Sequence, residues 1–297
     1  DAASLRKRGC EMSTLHIKGA DLFVSDTGGD GQAILFIHGL MLASESWGEQ
    51  VPRFAATHRV ITYDLRGQGR SEKTRIGLGL DSLAEDAAAL IESLGVTRAH
   101  VVAFSMGTFV AMRLAARRPD LVRSLTLIGP SADAEEPSNL PRYRALIGFV
   151  RLFGTRAVTG PLMKVLFGRT WLADPTVRSR RSHWRAAVAS LPRSLHRAAT
   201  ASAHRQAVTD LLPAISAPTL VVSGTEDRPI SPEHARRVHH GIAGSRFVSV
   251  PNTGHAVMIE QADAFNDLLA AFLAEVEETD DHGNLQTSPN STHSMAG

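Results

Sequence analysis

The stretch Ala103-Phe-Ser105-Met-Gly107 places a serine where the sequence changes from a strand pattern to a helix pattern. Residues 100–104 form a short, mostly apolar run with two valines, typical of a buried parallel strand, and the segment after the serine has helical spacing up to Pro119. A hydroxyl on such a sharp turn is lifted above the sheet edge, and small residues two positions to either side let strand and helix approach closely. The pattern predicts a nucleophilic serine, with an ordinary strand-to-helix turn as the alternative.

A serine hydroxyl is a poor nucleophile until a nearby base takes its proton, so a base and a group that orients it are needed. His255 follows Gly254 after the last predicted strand, where an imidazole can project toward Ser105. Asp227 also follows a strand, and its carboxylate can accept the other imidazole N–H and fix the tautomer. Asp133, after an earlier core strand, is the alternative acid. We therefore predict Ser105, Asp227 and His255 as the catalytic residues.

The segments that position these residues alternate between strand and helix patterns. The predicted strands span residues 16–18, 21–25, 32–37, 59–63, 100–104, 124–128, 218–223 and 246–250. Outside the central insert, helices are predicted over residues 45–56, 83–94, 233–240 and 258–276 and directly after Ser105. Strands that alternate with helices imply a mostly parallel sheet covered on both faces.

Residues 131–212 interrupt this alternation. They contain no convincing strand, and helical patterns cover residues 140–153, 161–167, 175–189 and 193–208. The insert has thirteen basic and five acidic residues, which favours a separate helical cap on an acidic body. The strands that flank it end at the face that carries Ser105, so the cap should lie over that face.

Two features of the cap have alternative interpretations. Its arginines either face water, the interpretation we favour, which predicts neutral ester substrates, or face the site, which predicts anionic ones. Its large apolar side chains either line a substrate pocket or pack the cap helices together. These side chains are Phe149, Phe153, Met163, Phe167 and Trp171.

Taken together, these motifs resemble the α/β-hydrolase superfamily over most of residues 13–275. The resemblance rests on five segments in the family's order: His38-Gly-Leu40, Asp64-Leu-Arg-Gly-Gln-Gly-Arg-Ser71, the Ser105 turn, Gly224-Thr-Glu-Asp227 and Asn252-Thr-Gly-His255. It implies an α/β-hydrolase fold, with a mostly parallel eight-stranded sheet, helices on both faces and an inserted helical cap. The chain is most similar to small capped serine hydrolases, and serine at the nucleophile position speaks against haloalkane dehalogenases and epoxide hydrolases.

The resemblance also implies how a developing oxyanion would be bound. The backbone N–H of Met106, at the start of the helix, is one donor, and the resemblance implies that of Leu40 as the other. His38 is expected to be structural, behind the oxyanion loop. The implied activity is hydrolysis of a small carboxylic ester or lactone through an acyl-serine intermediate. Carbon–carbon bond hydrolysis, cofactor-free perhydrolysis and a receptor-like protein that retains the triad are the alternatives.

Composition excludes several other classes. The 297 residues have a formal net charge of +2, which gives no sign of nucleic-acid binding. Cys10 is the single cysteine, and no His, Asp, Glu or Cys set has ligand spacing, so we expect no disulfide, metal or cofactor. No apolar run is long enough to span a membrane, and the N-terminal residues lack a signal-peptide pattern, so we expect a cytoplasmic protein whose partner is a small-molecule substrate.

The pattern also predicts the boundaries of the domains. Residues 1–12, with Met12 as a candidate natural start, should form a flexible N-terminal extension. Residues 13–130 and 213–276 should form the α/β core, on either side of the cap. The polar residues 277–297 should form a disordered tail.

Overall fold

The computed structural model describes residues 11–286, with side chains up to residue 280. Eight strands form one sheet in the order β1-β2-β4-β3-β5-β6-β7-β8. The strands are β1 (Glu11–Ile17), β2 (Ala20–Asp26), β3 (Ala33–Ile37), β4 (Arg59–Tyr63), β5 (Ala99–Phe104), β6 (Val122–Ile128), β7 (Thr219–Gly224) and β8 (Arg246–Val250). Only β2 pairs antiparallel with its neighbours, β1 and β4, and all other pairs are parallel. The predicted eight-stranded, mostly parallel sheet is confirmed.

Eleven α-helices lie in the described residues. Those of the body are α1 (Gln50–Phe54), α2 (Leu80–Ser93), α3 (Met106–Arg117), α9 (Pro232–Gly241), α10 (Val257–Glu260) and α11 (Ala262–Gln286). Those between β6 and β7 are α4 (Leu140–Phe153), α5 (Thr159–Leu166), α6 (Arg169–Ala173), α7 (Arg178–Ala189) and α8 (Leu195–Ala203). Short 3-10 turns lie at Ser44–Trp47, Pro119–Leu121, Pro137–Asn139, Arg156–Val158 and Thr209–Ala214. No helix within residues 11–286 is long and apolar enough to cross a membrane.

The sheet separates two hydrophobic clusters, one on each face. Every residue of β5 is buried, and alternate side chains enter opposite clusters, with Val101 in one and Val102 in the other. Helices α2 and α3 cover the first face, while α11 and helices α5 to α7 pack in the second cluster. Strand β5 is therefore central and covered on both faces, and the turn that carries Ser105 follows its end.

The structure differs from the predicted boundaries at both ends. Strand β1 begins at Glu11, because Glu11 pairs with Asp26 in the antiparallel register with β2. Helix α11 continues to Gln286, ten residues past its expected end. Its extra turns are held to the sheet, since Glu277 Oε1 lies 2.9 Å from His58 Nε2 and Asp280 pairs with Arg123. The rest of the predicted extension, residues 1–10, and of the predicted tail, residues 287–297, lies outside the described residues.

Candidate active site

Ser105 occupies the turn between β5 and α3 in a conformation that L-residues rarely adopt. Its φ is 51° and its ψ is −118°. Strain of this kind costs about 1–3 kcal/mol and persists only where the surroundings enforce it. Here the Ser105 N–H donates to Ile128 O at 2.9 Å, and the Thr108 N–H donates to Ser105 O at 2.8 Å. The turn presents the Ser105 side chain to a cavity.

Two glycines allow the loop after β3 to pack against this turn. A Cβ on Gly107 would lie 2.7 Å from the carbonyl oxygens of Ile37 and His38. A Cβ on Gly39 would lie 2.9 Å from Ser105 Cβ. The small residue on the helix side of Ser105 therefore has to be glycine, because backbone oxygens fill the space of a side chain.

Ser105, His255 and Asp227 form one chain of hydrogen bonds. His255 Nε2 lies 2.7 Å from Ser105 Oγ, and its Nδ1 lies 2.7 Å from Asp227 Oδ2. An ionised carboxylate only accepts hydrogen bonds, so the proton is assigned to Nδ1 and Nε2 is left to accept from the hydroxyl. The second oxygen of Asp227 accepts the Ile230 N–H at 3.0 Å. The predicted three residues are brought together.

The His255 ring is fixed on its other sides by packing. The ring centroid lies 4.7 Å from that of Phe104, at the end of β5. A Cβ on Gly129 would lie 2.9 Å from His255 Cε1, and Gly129 has a φ of +57°. The residue after β6 is therefore glycine because the imidazole occupies the adjacent space.

Asp133, the alternative acid, does not contact His255. Its carboxylate forms an ion pair with Arg237 at 2.6 Å, and Oδ2 also lies 3.9 Å from His234 Nε2. Asp227 is the carboxylate that the structure places beside the imidazole.

The two expected oxyanion donors lie beside Ser105 at the cavity. Leu40 and Met106 both line it. The Leu40 N–H donates to no residue within 11–286. Met106 is the first residue of α3, so its N–H has no partner within the helix. Both backbone donors are available to a bound molecule.

His38 lies behind this loop as a buried, neutral ring. Its Nδ1 donates to Gly39 O at 2.7 Å and its Nε2 accepts the Leu65 N–H at 2.9 Å. Burial lowers the pKa of His38, which outweighs the opposing effect of Asp64. With both nitrogens engaged, the ring holds the loop in place and is not free to act as a base.

The Asp64–Ser71 turn is fastened from within and to its neighbours. Asp64 accepts the N–H groups of Ser44 at 2.7 Å and Arg70 at 2.6 Å. Arg66 forms a buried pair with Asp86, with distances of 2.8 and 2.6 Å. These residues tie down their turn and do not reach the reacting groups.

A cavity of about 710 Å³ opens above Ser105 and His255. Its walls are largely apolar side chains of α4, α5 and α8, which belong to the helical insert 131–212, called the cap from here on. The apolar cap residues that line it include Leu146, Ile147, Val150, Leu162, Val165 and Leu195.

The sequence left open whether five large apolar cap residues line a pocket or pack the cap helices together. None of the five lines this cavity. Phe149 and Phe153 are exposed on α4, where their ring centroids lie 4.9 Å apart in a tilted arrangement. Met163, Phe167 and Trp171 are buried in the second hydrophobic cluster. The packing interpretation holds for these three, because their face of the cap meets α7, α10 and the sheet.

Two of the twelve cap arginines, Arg142 and Arg205, lie at the cavity, and Arg142 is itself exposed to solvent. Arg142, Lys164 and Arg205 of the cap line it, together with Arg228 of the body. Arg205 is paired with Glu135 at 2.8 Å. The other three have no ion-pair partner within the described residues, so the cavity mouth has unbalanced positive charge.

Two carboxylates close to the triad were not predicted from the sequence. Glu226, next to Asp227, accepts hydrogen bonds from the cap residues Arg169 and Thr170. Glu260 is buried and accepts the backbone N–H groups of Gly168 and Gly254. Neither glutamate stands in a sequence pattern that points to a function. The fold brings Glu226 and Glu260 close together where the cap passes them at Gly168.

Within residues 11–286, no group of three His, Cys, Asp or Glu side chains is arranged to hold a metal ion.

Comparison with known proteins gives the family. Residues 32–262 match the family model described as the alpha/beta hydrolase fold. The Mycobacterium tuberculosis protein BpoC, which carries the name non-heme bromoperoxidase, is 31% identical over 260 residues, covering 85% of this chain and 97% of BpoC.

Solved structures give the same result. An esterase from Thermogutta terrifontis superposes with a TM-score of 0.81 at 28% identity, covering 90% of this chain and 99% of the esterase. An enol-lactonase from Burkholderia xenovorans has a TM-score of 0.80 at 26% identity, covering 88% of this chain and 100% of the lactonase. With the sheet order, the inserted cap and the family match in agreement, the chain belongs to the α/β-hydrolase family.

Proposed function

We propose that this protein is a serine hydrolase that cleaves a small carboxylic ester or lactone through an acyl-serine intermediate. Ser105 is the nucleophile, His255 the general base and acid, and Asp227 the orienting carboxylate. The observation that carries the proposal is the continuous hydrogen-bonded chain of these three side chains at the base of a cavity. The domain division proposed with it has a body of residues 13–130 and 213–276 and a cap of residues 131–212.

The first half-reaction forms the acyl-enzyme. His255 Nε2 takes the hydroxyl proton as Ser105 Oγ attacks the carbonyl carbon, and Asp227 stabilises the imidazolium that forms. The negative charge that develops on the carbonyl oxygen is held by the N–H groups of Leu40 and Met106. The C–O bond then breaks, and His255 gives its proton to the leaving oxygen. In a lactone that oxygen stays attached to the acyl chain.

The second half-reaction releases the product. Water gives a proton to His255 Nε2 and attacks the acyl carbon, and the intermediate collapses with return of the proton to Ser105 Oγ. The carboxylic acid leaves and the enzyme is restored. The same residues would serve perhydrolysis if hydrogen peroxide replaced water in this step, the alternative that the name of BpoC suggests.

The proposal is tested by the activity of the wild type and Ser105→Ala on a panel of activated esters, lactones and vinylogous diketones. We expect hydrolysis of esters or lactones by the wild type and none by Ser105→Ala, with unchanged melting temperature. Exposed Ser190 provides the control variant, Ser190→Ala, which should remain active. Turnover of diketones alone would favour carbon–carbon hydrolysis, and a single burst without turnover would favour a receptor-like protein.

A further inference from the structure

The cap meets the loop that carries His255 at a joint of two closely packed glycines. A Cβ on Gly254 would lie 2.1 Å from Gly168 N, and a Cβ on Gly168 would lie 2.7 Å from Gly254 N. On the other side of the imidazole, the Ala256 N–H donates to Leu166 O at 2.9 Å. The cap backbone therefore touches the residues immediately before and after His255.

A buried carboxylate completes this joint. Glu260 is 5% exposed, and its Oε2 accepts the N–H of Gly168 at 3.1 Å and that of Gly254 at 2.9 Å. Its Oε1 is buried without a partner in the described part of the chain. One oxygen atom thus holds a cap residue and a triad-loop residue at a fixed separation.

The charges around Glu260 do not disrupt these bonds. Burial raises the pKa of Glu260 to about 7, against the opposing effects of the two N–H donors and of His255, while Glu226 adds to the rise. Arg180 of α7 contacts the same helix, since it donates to Ile259 O. The carbonyl-type oxygen of a carboxyl group accepts hydrogen bonds whether or not the group is protonated, so the joint can persist on both sides of neutrality.

A second carboxylate fastens the same cap segment to the other triad loop. Glu226 accepts the Thr170 N–H at 2.9 Å, the Thr170 hydroxyl at 2.7 Å and Arg169 Nε at 3.0 Å. It directly precedes Asp227. Residues 168–170 of the cap are therefore bound to the loops of both His255 and Asp227.

We propose that Glu260 is a positioning residue for His255. Because Glu260 accepts hydrogen bonds from both Gly168 and Gly254, the way the cap packs on the body determines the position of the imidazole between Ser105 and Asp227. The kinetic consequence rests on the proposed hydrolase function, whereas the effect on the ring does not. Displacement of a reacting group by about 1 Å can cost on the order of 100-fold in rate.

The test compares Glu260→Leu, which removes the acceptor, with Glu260→Gln, which retains a carbonyl oxygen of the same reach. We expect kcat of Glu260→Leu to fall by on the order of 100-fold with little change in KM, and Glu260→Gln to keep most of the activity. The low-field proton NMR resonance of the His255 Nδ1–H should shift or broaden in Glu260→Leu and remain in Glu260→Gln.

A matched pair on the cap side tests the same joint from Gly168, where an added Cβ would also lie 2.7 Å from Glu226 Oε2 and 3.0 Å from Glu260 Oε2. Gly168→Ala should lower kcat and disturb the resonance, because its Cβ would lie 2.7 Å from Gly254 N. Gly160→Ala, in α5, should do neither, because no atom lies within 4 Å of the added Cβ.

The outcomes separate this proposal from the proposed function. A folded Glu260→Leu with wild-type kcat and an unchanged resonance would show that the carboxylate only stabilises the fold. Should Glu260→Leu fail to fold, equal resonances and rates in Gly168→Ala and Gly160→Ala would overturn the proposal. If the wild type hydrolyses nothing on the panel, the hydrolase function fails, and the resonance alone decides the positioning role.

Discussion

At the scale of single residues, the chemistry depends on which atom holds each proton. One oxygen of Asp227 accepts a hydrogen bond from His255 Nδ1 and the other accepts the Ile230 N–H. Together the two hydrogen bonds oppose rotation of the carboxylate away from the imidazole. Its side chain is fully buried, and among the described side chains His255 is the one that donates to it. The carboxylate therefore selects the tautomer in which Nε2 can accept the Ser105 proton.

The first prediction concerns this selection. Asp227→Asn should lower kcat by on the order of 10⁴ with near-normal KM, because an amide can present its NH₂ to Nδ1 and stabilise the wrong tautomer. Asp133→Asn is the matched control, since that carboxylate is paired with Arg237 away from the imidazole. The measurement is steady-state kinetics of both variants on the best ester of the panel. A large loss in Asp133→Asn with an active Asp227→Asn would reverse the assignment.

The residues that the sequence identified were those whose type and loop position carry chemistry. Ser105, Asp227 and His255 each follow an apolar strand, and the parallel sheet brings such ends to one edge. Glu260 could not be found in this way, because it lies within a helical pattern and its partners, Gly168 and Gly254, are remote from each other in sequence. Only the folded path of the cap gives it a role.

At the scale of elements, strand β5 has a buried histidine between its neighbours. His100 Nδ1 lies 2.7 Å from Ser124 Oγ of β6, and Nε2 lies 2.9 Å from Gln32 Oε1. Burial, assisted by the positive charge of Arg123, lowers the pKa of His100 to about 3. Glu277 Oε1 lies 3.4 Å from Nε2, and the ring is completely buried.

This histidine predicts the direction of the pH dependence of stability. The unfolded ring has a pKa of about 6.5, so between that value and about 3 the unfolded chain binds the extra proton and stability falls as pH falls. The slope for one such group is about 1.4 kcal/mol per pH unit. The free energy of unfolding, measured with urea, should fall less between pH 6 and pH 5 in His100→Gln than in the wild type. His204→Gln, which changes an exposed residue, should behave like the wild type. An equal loss in all three proteins would contradict the assignment.

The order of strands and helices followed from sequence because alternating apolar runs and amphipathic segments are local signals. The ends of the elements were not predicted, because the added turns of α11 depend on contacts of Glu277 and Asp280 with residues far away in sequence. Four of the five cap helices were predicted, with α4 at Leu140–Phe153, but α6 at Arg169–Ala173 was not, and neither was the face of each helix that meets the cavity. The face that each helix turns toward the cavity depends on how the cap packs on the body.

At the scale of the whole molecule, the body and the cap together determine the charge at the cavity mouth. Arg142 and Lys164 come from the cap and Arg228 from the body, and none has an ion-pair partner in the described residues. Apolar walls below a cationic mouth fit an apolar acyl or alcohol group that ends in an anionic group. Of the two substrate classes considered from the sequence, this charge favours the anionic one, and the kinetic comparison that follows decides between them.

The third prediction follows from that charge. A carboxylate-bearing ester should have a higher kcat/KM than its matched neutral amide or methyl ester, and the advantage should shrink as salt rises from low to physiological levels. Arg142→Gln should reduce the advantage by about threefold, as expected for an exposed charge. Arg144→Gln, on the same helix but outside the cavity lining, is the control. A preference for neutral esters that is independent of salt would contradict the prediction.

Whether Ser105 is an activated nucleophile is measured by labelling with a fluorophosphonate and locating the added mass on peptides. We expect one phosphonylated peptide, modified at Ser105, with no labelling in Ser105→Ala and slower labelling in Asp227→Asn. Protection by a substrate ester would place the reaction in the cavity. Labelling at another residue, or an unlabelled wild type that still hydrolyses esters, would contradict the claim.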